Sequence, residues 1–171
     1  MKLNEFRQKL EEATQQGFPG RHPERIAALK TDYPHHIEVQ GNPNFISNDD
    51  CFLYVFKGQI PPDILKPFEH LIEEIPDLFE EIGHKLISKG FLSLHDERRP
   101  DDRIVIYFDG EIAKHFGRID NDKIVSKWGK GLTWKHDLFE IPLSYGDRVK
   151  YSDGEIDSGV LKETISLEGN P

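Results

Sequence analysis

The stretch from residue 103 to residue 128 reads RIVIYFDGEIAKHFGRIDNDKIVSKW and decides the fold class. Three runs in it, residues 103–108, 111–119 and 123–128, are rich in β-branched and aromatic side chains, which favour strands. The pair Asp109-Gly110 and the triplet at 120–122 separate these runs, and both are typical turn sequences. The stretch therefore predicts three antiparallel strands joined by two tight turns.

Further short strands are expected on either side of this stretch. Residues 138–141 and 148–151 flank the turn sequence LSYGD, and residues 37–39 (Ile-Glu-Val) alternate apolar and polar side chains inside a loop. Each of these segments is predicted to form a strand.

Helical spacing of apolar residues dominates the first half of the chain. It predicts helices over residues 2–16, 23–30 and 61–89, with a break at Pro76 because proline cannot donate the helical hydrogen bond. Six acidic and no basic residues lie between Glu69 and Glu81, which is typical of a solvated helix face. Helices followed by an antiparallel meander define an α+β domain, with N-terminal helices packed on a C-terminal sheet.

The segment SNDDCFLYVFKG, residues 47–58, carries the single cysteine. Ser47 and Asp50 resemble a capping box, which predicts a helix that starts near residue 48, holds Cys51 in its first turn and ends before Gly58. A buried strand over residues 51–56 is the alternative, since six apolar residues do not define a period.

Composition excludes several classes of protein. The 171 residues are 36% hydrophobic, which is enough for one domain, and 31 acidic against 22 basic residues give a net charge of -9. That charge argues against a nucleic-acid partner, which a surplus of Lys and Arg would attract. One cysteine excludes an intramolecular disulfide and a multi-cysteine zinc site.

No apolar run is long enough to span a membrane, and the N-terminus lacks a secretory signal, so a cytoplasmic protein is expected, with signal-independent export left open. No cofactor and no membrane partner are expected.

Cys51 is the candidate nucleophile. A single cysteine is usually a small buried hydrophobic residue. At a helix N-terminus, however, the helix dipole and the backbone N–H groups stabilise the thiolate and lower the thiol pKa. Asp49 and Asp50 oppose this effect, because their negative charge raises that pKa. The sequence leaves the balance between these effects open.

His115 is the candidate base. It lies within a predicted strand, and Gly117 on the same face leaves room for another group to approach the ring. A turn at residues 120–121 would pair His115 with Ser126, whereas a turn at 121–122 would pair it with Trp128. Ser126 would hold the imidazole by a hydrogen bond, and Trp128 would pack against it.

A basic strip surrounds this histidine. Between Lys114 and Lys135 there are six Lys or Arg residues against two Asp residues. The positive charge would favour a thiolate and an anionic group on a substrate. An ordinary lysine-protected strand edge is the alternative interpretation.

The order of these motifs resembles a known family. DCFLYVF at 50–56 is followed by KHFGRI at 114–119, IVSKWGKG at 124–131, a later histidine and a P-x-x-YG turn at 142–146. This order is similar to the NlpC/P60-like branch of the papain-like cysteine hydrolases, and in particular to small, poorly characterised bacterial members. The resemblance covers about residues 48–151.

The resemblance implies a papain-like fold and assigns roles to residues. Cys51 matches the nucleophile, His115 the general base and Ser126 the third polar residue, where better-known members carry His, Asn, Asp or Glu. Substrate-binding side chains are expected at Lys127, Trp128 and His136. The family hydrolyses amide bonds, so the implied partner is a peptide or another amide-containing substrate.

The same resemblance divides the chain into three parts. Residues 1–47 would be an N-terminal helical extension, residues 48–155 the papain-like core, and residues 156–171 a polar tail.

Two functions from different classes follow. The first is a cysteine peptidase or amidase that acts through a Cys–His pair and a thioester intermediate, with an oxyanion hole from the backbone N–H groups at the start of the Cys51 helix. The second is a catalytically inactive papain-like binding or immunity-type domain with a protein partner, favoured by the serine at the third position and the two Asp residues beside Cys51. A metal site at His115 and His136 is disfavoured because no third ligand accompanies them.

Overall fold

The computed structural model describes residues 3–15, 17–42, 49–63, 65, 78–129, 131–157, 159–160 and 163–164. Its helices are α1 (Leu3–Gln15), α2 (His22–Leu29), α3 (Cys51–Phe56) and α4 (Leu78–Ser88). Its strands are β1 (Glu38–Gln40), β2 (Ile104–Asp109), β3 (Ile112–Asp120), β4 (Lys123–Lys127), β5 (Thr133–His136) and β6 (Arg148–Ser152). Short 3₁₀ helices cover Pro19–Arg21, Lys57–Gln59 and Leu143–Tyr145.

The strands form a six-stranded antiparallel sheet in the order β1-β5-β4-β3-β2-β6. The two turns of the central meander explain its register. Asp109 pairs with Ile112, which leaves Gly110 and Glu111 as the turn residues, and Gly110 has a φ of 59°. Asp120 pairs with Lys123, and Asn121 takes a positive φ of 57° in the second turn. Glycine and asparagine are the residues that tolerate this left-handed backbone most readily.

A β-bulge in β3 decides which side chains share a face. His115 pairs with Tyr107, but the next pair is Ala113 with Phe108, so Lys114 is the extra residue. The bulge places Ala113 and Phe116 on one face of the sheet, and His115 lies on the other face with Tyr107.

Helices cover both faces. Residues of α3 and α4 are buried against the first face, in a cluster formed by Phe52, Leu53, Phe56, Ile82, Leu86, Ile104, Ile106 and Phe116. Residues of α1 and α2 are buried against the second face, in a cluster formed by Phe6, Leu10, Ile26, Val105, Tyr107, Ile124, Trp128 and Trp134. The prediction of an α+β domain is thereby confirmed.

The predicted N-terminal extension is part of this structure. Phe6 and Leu10 are fully buried, and β1 pairs with β5 at one edge of the sheet. The helices and the edge strand within residues 3–42 therefore complete the sheet that carries the candidate site.

Most predicted elements are confirmed, with three corrections. The helices at 2–16 and 23–30 and the central meander are present, and the strands at 37–39 and 148–151 appear as β1 and β6. The predicted strand at 138–141 is wrong, because this segment turns and Glu140 donates its N–H to the carbonyl of Asp137. Strand β5 was not predicted. The turn expected at Asp109-Gly110 lies one residue later.

Part of one prediction lies outside the described residues. Helix α4 matches the end of the helix expected over 61–89, but Pro76 and most of the acidic run belong to the undescribed part. Within the described segments, no helix combines the length and the apolar character needed to cross a bilayer.

Candidate functional site

Cys51 begins helix α3. Asp50 is the N-cap, and its Oδ1 accepts a hydrogen bond of 2.8 Å from the backbone N–H of Leu53. The helix therefore starts at residue 51 and not near 48, because Asp50 caps it instead of occupying its first turn. Ser47 lies outside the described residues. The thiol forms no disulfide and is half-buried. Because Cys51 is the first residue of α3, its predicted position in the first turn is confirmed.

His115 is buried in β3, with 1% of its surface exposed. Burial lowers the pKa of the imidazole well below its usual value, and positive charge on His136 would lower it further. Its Nε2 atom has no hydrogen-bond partner among the described residues. The ring is therefore neutral at pH 7 and keeps one buried nitrogen without a partner.

The register settles the two alternatives for the neighbour of His115. The ladder between β3 and β4 runs from Asp120 and Lys123 to Gly117 and Ser126, which corresponds to the turn at 121–122. In that register the residue opposite His115 is Trp128, but the ladder ends two pairs earlier, at Gly117 and Ser126, and the Trp128 N–H donates to Leu132 instead. The pairing of β3 with β4 therefore stops before it reaches His115.

Tyr145 lies in contact with His115. Its ring stacks on the imidazole with 4.0 Å between ring centroids and 10° between the planes. Burial raises the pKa of the Tyr145 phenol, and a negative charge on Cys51 contributes in the same direction. A hydrogen bond with the backbone of Gly129 acts oppositely on that pKa. Tyr145 is thus a neutral phenol whose ring contacts His115 and whose pKa is raised in part by a charge on Cys51.

Ser126 has partners other than His115. Trp128 Nε1 donates to Ser126 Oγ at 3.1 Å, and Oγ lies 2.9 Å from His136 Nε2. His136 Nδ1 lies 2.8 Å from the carbonyl oxygen of Asp137, which can only accept. Nδ1 therefore carries the proton, and Nε2 accepts from the Ser126 hydroxyl. Burial lowers the pKa of His136 to about 4, which keeps this neutral arrangement intact.

The buried ammonium group of Lys127 interacts electrostatically with Asp49 and Asp50, which precede α3. Its side chain is 2% exposed, and Nζ donates to the Gly131 carbonyl at 2.5 Å. Burial lowers its pKa, while the carboxylates of Asp49 and Asp50 raise it. These carboxylates flank Cys51 in sequence, so Lys127 offsets part of the negative charge beside the thiol.

The three predicted substrate-binding side chains are all buried. Lys127, Trp128 and His136 are 2%, 5% and 0% exposed, and their polar atoms bond within the protein. A direct contact with a substrate would require this part of the protein to open.

Metal binding by His115 and His136 is disfavoured because both nitrogens of His136 are engaged. Within the described segments, His36, Asp137 and Glu140 place their ligand atoms within 4.8 Å of one another. Lys123 Nζ already lies 2.5 Å from Asp137 Oδ1 and competes with a cation for that carboxylate.

Sequence reasoning gave no role to Tyr145, although its signal was present. The residue belongs to the P-x-x-YG turn at 142–146, which is one of the motifs that carry the family resemblance. Its stacking partner depended on the topology, which places Leu143–Tyr145 beside β2 and β3.

Comparison with known proteins gives no match: no family model, no curated protein and no solved structure is similar to this chain at a significant level.

Proposed function

We propose that this protein is a cysteine hydrolase of papain-like arrangement, with Cys51 as the nucleophile and His115 as the general base. The substrate would be a peptide or another amide. The observation that carries the proposal is the stacking of Tyr145 on His115, and a negative charge on Cys51 contributes to the raised pKa of the same tyrosine. Cys51 packs against the first-face cluster, whereas His115 and Tyr145 lie on the second face, so the proposed pair requires the thiol to reach the imidazole beyond the end of the β3–β4 ladder.

The protonation states support general-base catalysis. His115 is neutral because burial lowers its pKa, so a ring nitrogen is available to accept a proton, although the same burial makes the ring a weaker base than a free imidazole. Lys127 and the start of α3 favour the thiolate, whereas Asp49 and Asp50 oppose it. Asp49 is also bound by Lys57, with 3.2 Å between Nζ and Oδ1, which reduces its effect on the thiol.

The proposed reaction has two stages. The Cys51 thiol gives its proton to His115 while the sulfur electron pair forms a bond to the acyl carbon. The C–N bond then breaks, the amine leaves with the proton from the imidazolium, and a thioester remains. A water molecule next attacks the thioester and gives a proton to His115. The C–S bond breaks, the sulfur takes that proton back, and the carboxylic acid leaves.

An inactive binding domain is the second candidate. The observation in its favour is the burial of His115, whose surface is 1% exposed and offers little access to a substrate. This alternative predicts a thiol whose reactivity does not depend on His115, whereas the hydrolase requires a reactive thiol that does depend on it.

The rate of Cys51 alkylation by iodoacetamide against pH distinguishes the two candidates. For a hydrolase we expect a midpoint below the free thiol value of about 8.5, and a slower reaction near neutral pH in His115→Gln. His36→Gln is the matched control, because His36 is an exposed histidine that pairs with Asp137. A thiol that stays inert in the folded wild-type protein would overturn the hydrolase proposal and support the binding domain.

A further inference from the structure

We infer that Tyr145 is the positioning residue of this site and holds the His115 ring in the orientation that catalysis needs. This inference rests on the proposed function. It assigns to Tyr145 the role that the sequence resemblance gave to Ser126.

Ser126 does not orient the His115 ring through a hydrogen bond, because its hydroxyl has other partners. The Ser126 hydroxyl accepts from Trp128 and donates to His136. His115 Nε2 has no hydrogen-bond partner in the part of the chain that the structure describes. Aromatic contacts hold the ring instead. Tyr145 stacks on it at 4.0 Å and 10°, and Tyr107 lies at 5.7 Å and 40°.

The segment that carries Tyr145 is itself held in place by the fold. Arg7 of α1 is 1% exposed, and its guanidinium donates to the backbone carbonyls on both sides of Tyr145. The Arg7 acceptors are Ile141, Pro142, Leu143 and Gly146. A side chain at Gly146 would collide with the backbone of Phe108, so the chain following Tyr145 packs directly on β2. Because the backbone before and after Tyr145 is held in place, the Tyr145 ring can hold the His115 ring that stacks on it.

The phenol hydroxyl of Tyr145 stays neutral. Burial keeps it protonated, so Tyr145 adds no negative charge beside the thiol. Its interaction with Cys51 is electrostatic, whereas its contact with His115 is made by the ring. The two contributions can therefore be separated by substitution, since phenylalanine keeps the ring and leucine removes it.

The test is the pH profile of Cys51 alkylation in Tyr145→Phe and Tyr145→Leu. We expect Tyr145→Phe to retain the wild-type rate within about threefold, and Tyr145→Leu to lose at least about tenfold near neutral pH, as misplacement of a catalytic group does. Tyr33→Leu is the matched control, because Tyr33 stacks on Phe6 in the same core at 5.5 Å and 23°. A Tyr145→Leu profile that matches the wild type would overturn the inference.

The same data keep the two proposals apart. An inert wild-type thiol contradicts the hydrolase itself. A reactive thiol that depends on His115 but not on the ring at position 145 contradicts only the positioning role.

A second measurement uses the unaltered protein and does not depend on the folding of a variant. In its NMR spectrum we expect the His115 ring protons to be shifted upfield by the stacked Tyr145 ring and to belong to one orientation. Several exchanging orientations, or unshifted protons, would overturn the positioning role.

Discussion

At the scale of single residues, the chain Trp128–Ser126–His136 gives Ser126 a structural role. The hydroxyl accepts one hydrogen bond and donates another, and all three side chains are buried. The sequence left Ser126 and Trp128 as alternative neighbours of His115, because two turn positions one residue apart were both possible, and only the family resemblance favoured Ser126. The observed turn at 121–122 puts Gly117 opposite Ser126 instead.

Removal of this hydroxyl should therefore affect stability and not thiol reactivity. In Ser126→Ala, the buried Trp128 and His136 nitrogens lose their partner, so we expect a loss of about 2 kcal/mol in the free energy of unfolding. Urea denaturation measures this loss, and Ser144→Ala is the control, because Ser144 is exposed. An Ser126→Ala protein of unchanged stability but with slowed Cys51 alkylation would show that Ser126 acts on the site.

Two buried histidines should also make the fold sensitive to acid. The pKa of His136 falls to about 4 and that of His115 falls well below its usual value. As the pH falls below about 6.5, the unfolded histidines bind protons that the folded ones do not, so stability decreases. The decrease ends when the folded groups titrate too, which for His136 is near 4.

The measurement is the free energy of unfolding by urea at intervals from pH 7 to pH 4. Each histidine contributes a slope of up to about 1.4 kcal/mol per pH unit. His136→Gln should have a shallower slope than the wild type, whatever its absolute stability. Parallel slopes in the two proteins would contradict the low pKa of His136.

At the scale of elements, the segment that carries Tyr145 depends on Gly146. This glycine has a φ of 103°, and a Cβ there would lie 2.3 Å from the Phe108 carbonyl oxygen. Gly110 also has a positive φ, 59°, but a Cβ there would meet nothing within 4 Å. Substitution of alanine at each of these two glycines therefore distinguishes the cost of backbone strain from the cost of a steric collision.

We expect Gly146→Ala to destabilise the protein by at least about 2 kcal/mol, since strain and overlap add, and Gly110→Ala by about 1 kcal/mol. Thermal or urea denaturation of the two variants gives the comparison. Equal losses in both would mean that the close approach of Gly146 to β2 is not maintained in solution.

Elements with a strong local signal could be predicted from the sequence, and those that depend on tertiary contacts could not. The turn residues Gly110 and Asn121 and the apolar spacing of α1 predicted their elements closely. Strand β5 was missed because Thr133–His136 is short and follows a glycine-rich turn. Arg7 was missed because nothing in the sequence indicates that a buried arginine will bind carbonyl groups about 135 residues away.

At the scale of the whole molecule, the sheet packs between two layers of helices, with α3 and α4 on one face and α1 and α2 on the other. The second apolar cluster joins α1 and α2 to strands from the centre of the meander, and β1 closes an edge. The N-terminal residues are therefore required for the core, and the chain should unfold as one cooperative unit.

We expect tryptophan fluorescence, which reports Trp128 and Trp134 in the second cluster, to follow the same urea transition as far-ultraviolet circular dichroism. A fragment that lacks residues 1–42 should lack a cooperative transition, because it loses the helices that cover this cluster. Two separate transitions in the full chain, or a stably folded fragment, would instead support an independent N-terminal extension.

The central claim is that Cys51 and His115 form one catalytic pair. Its most direct test is a crystal structure of the protein, from which the distance between Cys51 Sγ and the nearer ring nitrogen of His115 is measured. We expect a distance of about 4 Å or less, or a thiol rotamer that reaches it, allowing for the looser geometry of unliganded sites. A separation of more than about 5 Å that no rotamer of either side chain closes would contradict the claim.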